Sequence, residues 1–336
     1  MSRPAGRGVG GTRTQGMNET ARTTPARQTG HPQGGLPRHA ALALLTRFNA
    51  PLPWLNRPAP DAAWLEHRCH LFETFCLPTV QAQSFQDFRW MVYFDSRTPD
   101  AVRARIDSYR RSCRQLEPCF VDELDNAVAS QAIRDSCGDD VQFLVTVRLD
   151  NDDAVSRQFL SRFAAAVRPH EPERRFINMR RGYTWKEGRV FEQDDPSSPF
   201  FAVIEPRRSA VTGLSFDHTK MAEHGDVQQI VDGRHFLQVV HGRNVSNSLR
   251  GRPREVSARG LLPQFPSAAL DVPPNALRRM WWNGLGAVSQ ARRTLRRVLS
   301  QDIGRLGVTD PSSRESLSGL SRGEHSSPPD REQTET

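Results

Sequence analysis

Asp150, Asn151, Asp152 and Asp153 stand in succession directly behind residues 141–149, a run that is almost unbroken apolar and rich in β-branched side chains. Such a run reads as a central parallel strand covered on both faces. Side chains alternate along a strand, so Asp150 and Asp152 are expected on one side of its carboxyl end, with Asn151 turned away. Two carboxylates on one side suit a hard cation, and ligands of open α/β sheets collect beyond the carboxyl ends of the strands. The competing reading is a helix cap. Residues 154–167 place Val155, Phe159, Phe163 and Val167 at helical spacing, and Asp152 or Asp153 just ahead of such a helix would accept its free N–H groups.

A second polar cluster follows Phe236 to Val240, the last apolar run, as His241-Gly242-Arg243-Asn244-Val245-Ser246-Asn247. A histidine and two asparagines in a glycine-containing loop are either the second half of a polar site or an ordinary asparagine-rich turn. Arg47 and Arg148 lie near predicted strand ends, where a guanidinium neutralises phosphate or pairs with a neighbouring aspartate. Asp95 ends another apolar run, Phe88 to Phe94.

The elements that must hold these groups alternate along the chain. Ala40–Leu45, Phe88–Phe94, Pro118–Val121 and residues 141–149 read as strands, and helical spacing falls between them. Leu65, Cys69, Phe72 and Cys76 form one stripe, Val102, Ile106 and Tyr109 another, and residues 126–136 a modest helix. Pro78 either opens a short second helix or kinks the first. Alternation of this kind implies an α/β fold with an open, mostly parallel sheet and helices on both faces. Beyond the acidic turn, Tyr183–Trp185 and Arg189–Phe191 flank Lys186-Glu187-Gly188 and read as an appended antiparallel hairpin.

Charge divides the chain. Residues 1–39 carry six arginines and one acid, and residues 276–301 carry six arginines and none. Setting these aside from the total of +8 leaves a body with a net charge of −3, which argues against a nucleic-acid partner. Composition implies a disordered basic tail over 1–39, a folded body over 40–270, a basic amphipathic helical segment over 271–304 and a disordered tail over 305–336. In the third segment Trp281, Leu285, Val288, Ala291, Leu295 and Val298 recur at helical spacing among arginines, which fits either a membrane-surface helix or one docked on the body by its apolar stripe. Five cysteines without a C-x-x-C pair, no run long enough to span a bilayer and no secretory leader lead to the expectation of a cytoplasmic protein, peripheral at the inner face of a membrane if that helix binds lipid.

Three blocks carry a resemblance: Trp64…Arg68…Phe72-Glu73…Leu77-Pro78…Gln83…Phe88-Arg89-Trp90, then Arg148-Leu149-Asp150-Asn151-Asp152-Asp153-Ala154, then Phe236 through Asn247. Together they resemble the bacterial rhamnosyltransferase family, over residues 42 to about 250, which is similar to GT-A glycosyltransferases. The resemblance implies a GT-A-like nucleotide-binding sheet and a D-x-D motif holding Mn²⁺ or Mg²⁺ on the diphosphate of a sugar nucleotide, with dTDP-rhamnose as the expected donor and a glycan, lipid-linked or small-molecule acceptor. Asp150, Asp152 and His241 would then be the metal ligands, and Arg47, Asp95, Arg148, Asp150, Asp153, His218, Asn244 and Asn247 would meet substrates. An inverting transfer needs a base for the acceptor hydroxyl. Glu205, Asp195 and Asp217 are the candidates, Glu205 being favoured because it follows the apolar run Phe200–Ile204. Two other classes remain in view, a metal-dependent phosphoesterase and a non-catalytic sugar- or nucleotide-binding protein of the same fold.

Overall fold

In the computed structural model, which describes residues 35–55, 60–171, 173–242 and 252–305 and side chains as far as residue 295, the predicted alternation is present. Strand β1 (Ala40–Arg47) leads to helix α1 (Ala62–Leu71), which passes through a π-helical turn at Phe72–Cys76 into α2 (Leu77–Gln81). Pro78 sits in the first turn of α2, directly behind the π-helical turn that continues α1. Strand β2 (Arg89–Asp95), helix α3 (Asp100–Ser112), strand β3 (Leu116–Val121), helix α4 (Asn126–Asp135) and strand β4 (Phe143–Arg148) follow. Then come β5 (Ala154–Val155), α5 (Phe159–Ala165), β6 (Arg175–Met179), β7 (Arg181–Lys186), β8 (Arg189–Asp194) and β9 (Phe201–Pro206). The last elements are α6 (Met221–His224), β10 (Asp226–Ile230), β11 (Phe236–Val240), β12 (Glu255–Val256) and α7 (Ala276–Arg305).

Seven strands form one sheet in the order β10-β6-β9-β4-β1-β2-β3, and only β9 runs against the rest. Period-two alternation sends Leu44, Trp90, Val92 and Val147 to the face covered by Phe72, Ile106 and Phe159. It sends Leu45, Met91, Tyr93 and Leu144 to the opposite face, which Ala129 and Ile133 of α4 cover. Each large side chain removed from water in this way stabilises the fold by about 1.5–3 kcal/mol. Trp90 is fully buried, and its Nε1–H donates to Thr46 Oγ1 at 3.0 Å. Cys69, Cys76 and Cys113 are buried and all five cysteines are free.

The predicted hairpin is β7–β8, closed by Glu187 and Gly188 at φ 50° and 74°. It belongs to a second sheet in the order β12-β8-β7-β11-β5, packed on Leu71, Phe75, Phe265 and Leu270. Residues 154–167 do not form a helix from their start. Ala154 and Val155 are taken by the open edge of β11 as a short antiparallel strand, so α5 begins only at Phe159. The acidic residues therefore cap nothing, and Gln158 at the helix start makes no side-chain cap bond.

Helix α7 is fastened by one face. Trp282 Nε1–H donates to Pro253 O at 2.9 Å, Asn283 exchanges hydrogen bonds with the Glu255 backbone, and Arg278 meets the Glu255 carboxylate at 3.2 Å. Among the described residues no helix is long and apolar enough to cross a membrane.

Candidate active site

Strand alternation stops at the end of β4. Asp153 N–H donates to Asp150 O, closing a tight turn, and the two carboxylates expected side by side take different partners. Asp150 receives Arg148 Nη2 at 3.2 Å. Asp152 is buried, and its Oδ2 accepts Arg68 Nη1 at 2.7 Å and faces His241 Nε2 at 2.9 Å. His67 Nε2 lies 3.4 Å from His241 Nδ1, the two rings meeting edge to face.

Three separate elements produce this convergence. Leu65 and Cys69 anchor α1 in the core, Asp61 caps its start by accepting Trp64 N–H, and the Arg68 guanidinium lies over the Trp64 ring at 5.3 Å. Strand β11 is brought to the acidic turn by its pairing with β5 and by Val239 N–H, which donates to Asp153 Oδ1 at 2.8 Å. Its end then delivers His241. The buried His235 fastens the start of β11, its Nε2 facing Asp232 O and its Nδ1 facing Ser156 Oγ at 3.0 Å.

Burial acts to raise the pKa of Asp152, but the His241 hydrogen bond and the Arg68 charge outweigh it and hold the carboxyl below the usual range. Burial pushes Asp153 well above that range, and the charges of Asp152 and Asp150 add to the effect. Arg47 is lowered by burial and by Arg148 beside it, Asp150 offsetting only part. Two guanidinium groups crowded together favour an arriving anion. Two buried polar atoms of this cluster, Arg68 Nε and Asn151 Oδ1, have no partner among the described residues.

Asp153 is buried against the β11 backbone, so it fastens the turn instead of facing a substrate. Asp95 is turned onto Arg97 at the end of β2. His218 Nδ1 meets Ser197 O on the β6 side of the same sheet end. Asp195 Oδ1 accepts Ser197 N–H, and Asp217 Oδ1 accepts Thr219 N–H in an exposed turn. Glu205 requires a correction. Strand β9 runs antiparallel to β4 and pairs Glu205 with Leu144, at the amino end of β4 and away from Asp152. Its buried carboxylate is held by Arg174 Nε at 2.9 Å and by the N–H groups of Val211 and Thr212, which gives it a structural task. Asn244 and Asn247 lie outside the described residues. Neither Arg68 nor His67 is marked by a motif of its own in the sequence, and Arg68 enters only through the resembling blocks.

Asp152 and His241 are the residues of the turn that could hold a divalent cation, and in this structure they hold each other. A carboxylate and an imidazole from different elements meet at one point, with the unpartnered Asn151 amide oxygen on the residue beside Asp152. Among the described residues no group of three or more His, Cys, Asp or Glu stands at metal-holding spacing. A cation here would draw most of its shell from diphosphate oxygens and water, as Mg²⁺ commonly does in phosphate-transfer sites.

Comparison with known proteins gave no match among curated sequences. Among solved structures, S. aureus TarS 1-349 in complex with UDP-GlcNAc is 13% identical, with 66% of this chain and 63% of that one covered and a TM-score of 0.38. The same protein without that ligand gives 12% identity, 59% and 60% coverage and a TM-score of 0.35, so the chain spans about three-fifths of its length. The 4-diphosphocytidyl-2C-methyl-D-erythritol synthase of Anaerococcus prevotii DSM 20548 is 6% identical, with 63% and 92% covered and a TM-score of 0.31. One family matches over residues 58–253, more than half of the chain, a stretch that contains α1, the acidic turn and β11. The chain belongs to the family described as "Putative rhamnosyl transferase".

Proposed function

We propose that this protein is a metal-dependent glycosyltransferase that moves a sugar, rhamnose by the family's description, from a nucleoside-diphosphate sugar such as dTDP-rhamnose to a glycan, lipid-linked or small-molecule acceptor, releasing the nucleoside diphosphate. The observation that carries the reading is the meeting of Asp152, His241 and Arg68 beyond the carboxyl end of a central parallel strand, inside the matched segment. Asp152 and His241 are the residues that would hold Mg²⁺ or Mn²⁺, and Asp150, tied to Arg148, would serve the cation or the nucleotide ribose. When bound, the cation stabilises the charge that develops on the departing diphosphate. Arg47 and Arg148 supply fixed positive charge for the same anion, and Arg68 keeps Asp152 ionised and aimed. A lipid-linked acceptor would put the working enzyme at the inner face of a membrane, with residues 277–299 in contact with it.

The test is thermal unfolding of the wild type and of Asp152→Asn with Mn²⁺ and each of dTDP, UDP and GDP. One nucleotide at about a hundred times its Kd should raise the wild-type Tm by about 5 °C or more, only with metal and not in the variant. No shift with any nucleotide would overturn the reading. A shift in the wild type without turnover on any acceptor would favour a binding protein of the same fold.

A further inference from the structure

We propose that α7 is a membrane-surface helix that lays its outer face into an anionic lipid surface. The inference extends the membrane-face reading above but stands apart from the sugar-transfer chemistry, because its test reads binding alone.

The roll of α7 is fixed by the contacts of Trp282, Asn283 and Arg278 with residues 253–255 and by Gly286, where an added Cβ would come within 3.5 Å of Arg252 O. Arg189 stacks over the Trp282 ring at 4.4 Å, and Phe191 lies beside it. At about 100° per residue, Leu277, Met280, Trp281, Gly284, Val288, Ala291 and Leu295 fall together on the side opposite that anchor. They are left out. Leu277 is 82% exposed, Met280 69%, Trp281 67%, Val288 52% and Leu295 59%.

This is the reverse of a helix docked by its apolar stripe, in which the stripe faces the core and the polar face meets water. A single exposed leucine needs no explanation, whereas a continuous stripe about 27 Å long calls for a partner. Its chemistry is specific. Between Ala276 and Leu295 the helix carries Arg278, Arg279, Arg292 and Arg293 and no acid. An exposed tryptophan and aliphatic side chains on one face, with Arg292 beside them and no acid along this length of helix, match an anionic lipid surface in both apolar and electrostatic terms. A second copy of the chain would bring arginines against arginines, which opposes self-association through this face. The helix is also too polar to cross a bilayer, which fits one lying in the plane of its surface.

The experiment is co-sedimentation of the full chain with vesicles of phosphatidylcholine alone or with one quarter phosphatidylglycerol. The wild type is compared with Leu277→Glu/Trp281→Glu/Val288→Glu and with Arg292→Ser/Arg293→Ser. The altered side chains are all exposed, so the melting temperature should not change. The wild type should bind the acidic vesicles at least about tenfold more tightly than neutral ones, the triple variant should lose about tenfold or more, and the arginine variant several-fold. If the triple variant fails to fold, a blue shift of wild-type tryptophan fluorescence on acidic vesicles that is reduced in Trp281→Phe gives the same answer. Equal binding to both vesicle types, or a folded triple variant that binds like the wild type, would overturn the proposal. So would a wild-type dimer in sedimentation velocity that the triple variant dissolves, since the stripe would then be a subunit interface.

Discussion

Arg68 Nη1 lies 2.7 Å from Asp152 Oδ2 across 84 residues of chain, on the same oxygen that faces His241 Nε2 at 2.9 Å. One carboxylate oxygen thus ties the first helix, the acidic turn and the end of β11 together. Removing it should damage structure and chemistry separately. Asp152→Ala leaves the partly buried guanidinium without its ion pair and should lower unfolding free energy by about 1–3 kcal/mol, read by urea denaturation. Asp152→Asn keeps the shape but not the charge. It should reduce sugar transfer by about a hundredfold or more and, because the ion pair is lost in both variants, cost nearly as much stability as Asp152→Ala; wild-type stability in Asp152→Asn would count against the ion pair.

Glu205 illustrates how a sequence reading misplaces a residue. A buried carboxylate that accepts from Arg174 and two backbone N–H groups is part of the frame, so Glu205→Gln should lower stability by about 1–3 kcal/mol. Transfer rate per folded molecule should stay within about twofold of the wild type, because the side chain sits at the far end of β4. A large fall in kcat with unchanged stability would return it to the list of bases.

The error has a physical cause. An apolar run reports burial but not direction, and Phe200–Ile204 reads the same whether β9 runs with β4 or against it. The alternation of strand and helix through β4 was legible, because long apolar runs and amphipathic helices differ in period. Asp152 and His241 were legible because each closes such a run. Arg68 and His67 were not, since Glu66, His67, Arg68 and His70 form a charged stretch on α1 in which only packing shows which side chains face the turn. The second sheet was hidden because β5 and β12 are two residues each and are strands only through their partners. The stripe of α7 was legible only in part, since Leu285 is half-buried beside the exposed face and the Val298 side chain lies outside the described residues, and its exposure depends on Trp282 and Asn283 taking the contacts with the body.

His235 gives the site a pH dependence. Burial disfavours its charged form and Arg162 adds to this, while the bond to Asp232 O works the other way, and the net pKa falls below the ordinary value. Between that ordinary value of about 6.5 and the lower folded value, the unfolded chain binds more protons than the folded one. The contribution to stability is therefore fully present above about pH 6.5 and lost as pH falls. Wild-type Tm should decline from about pH 7 to about pH 5.5, and His235→Asn, whose side-chain oxygen can still accept from Ser156, should show a shallower decline. Parallel curves would show that the titrating group is elsewhere.

The seat of β11 itself depends on an absent side chain. A Cβ at Gly182 on β7 would lie 2.4 Å from Phe236 Cδ2, far inside van der Waals contact. The Phe236 ring has little room to retreat, since it is fully buried and stacked on Phe200 with centroids 4.2 Å apart and planes at 7°. Gly182→Ala should therefore cost about 1–3 kcal/mol through overpacking and, by displacing the strand that ends at His241, lower transfer activity as well. Phe236→Ala alone should also destabilise, by opening a gap beside Phe200. Combined with Gly182→Ala it removes the ring atoms, Cγ included, that the added Cβ would meet, so the double variant should be more stable than the two single losses predict, by about 1 kcal/mol or more. Simple additivity would mean that β7 and β11 separate freely, and that the position of His241 is set by the Asp153 bond to Val239 alone.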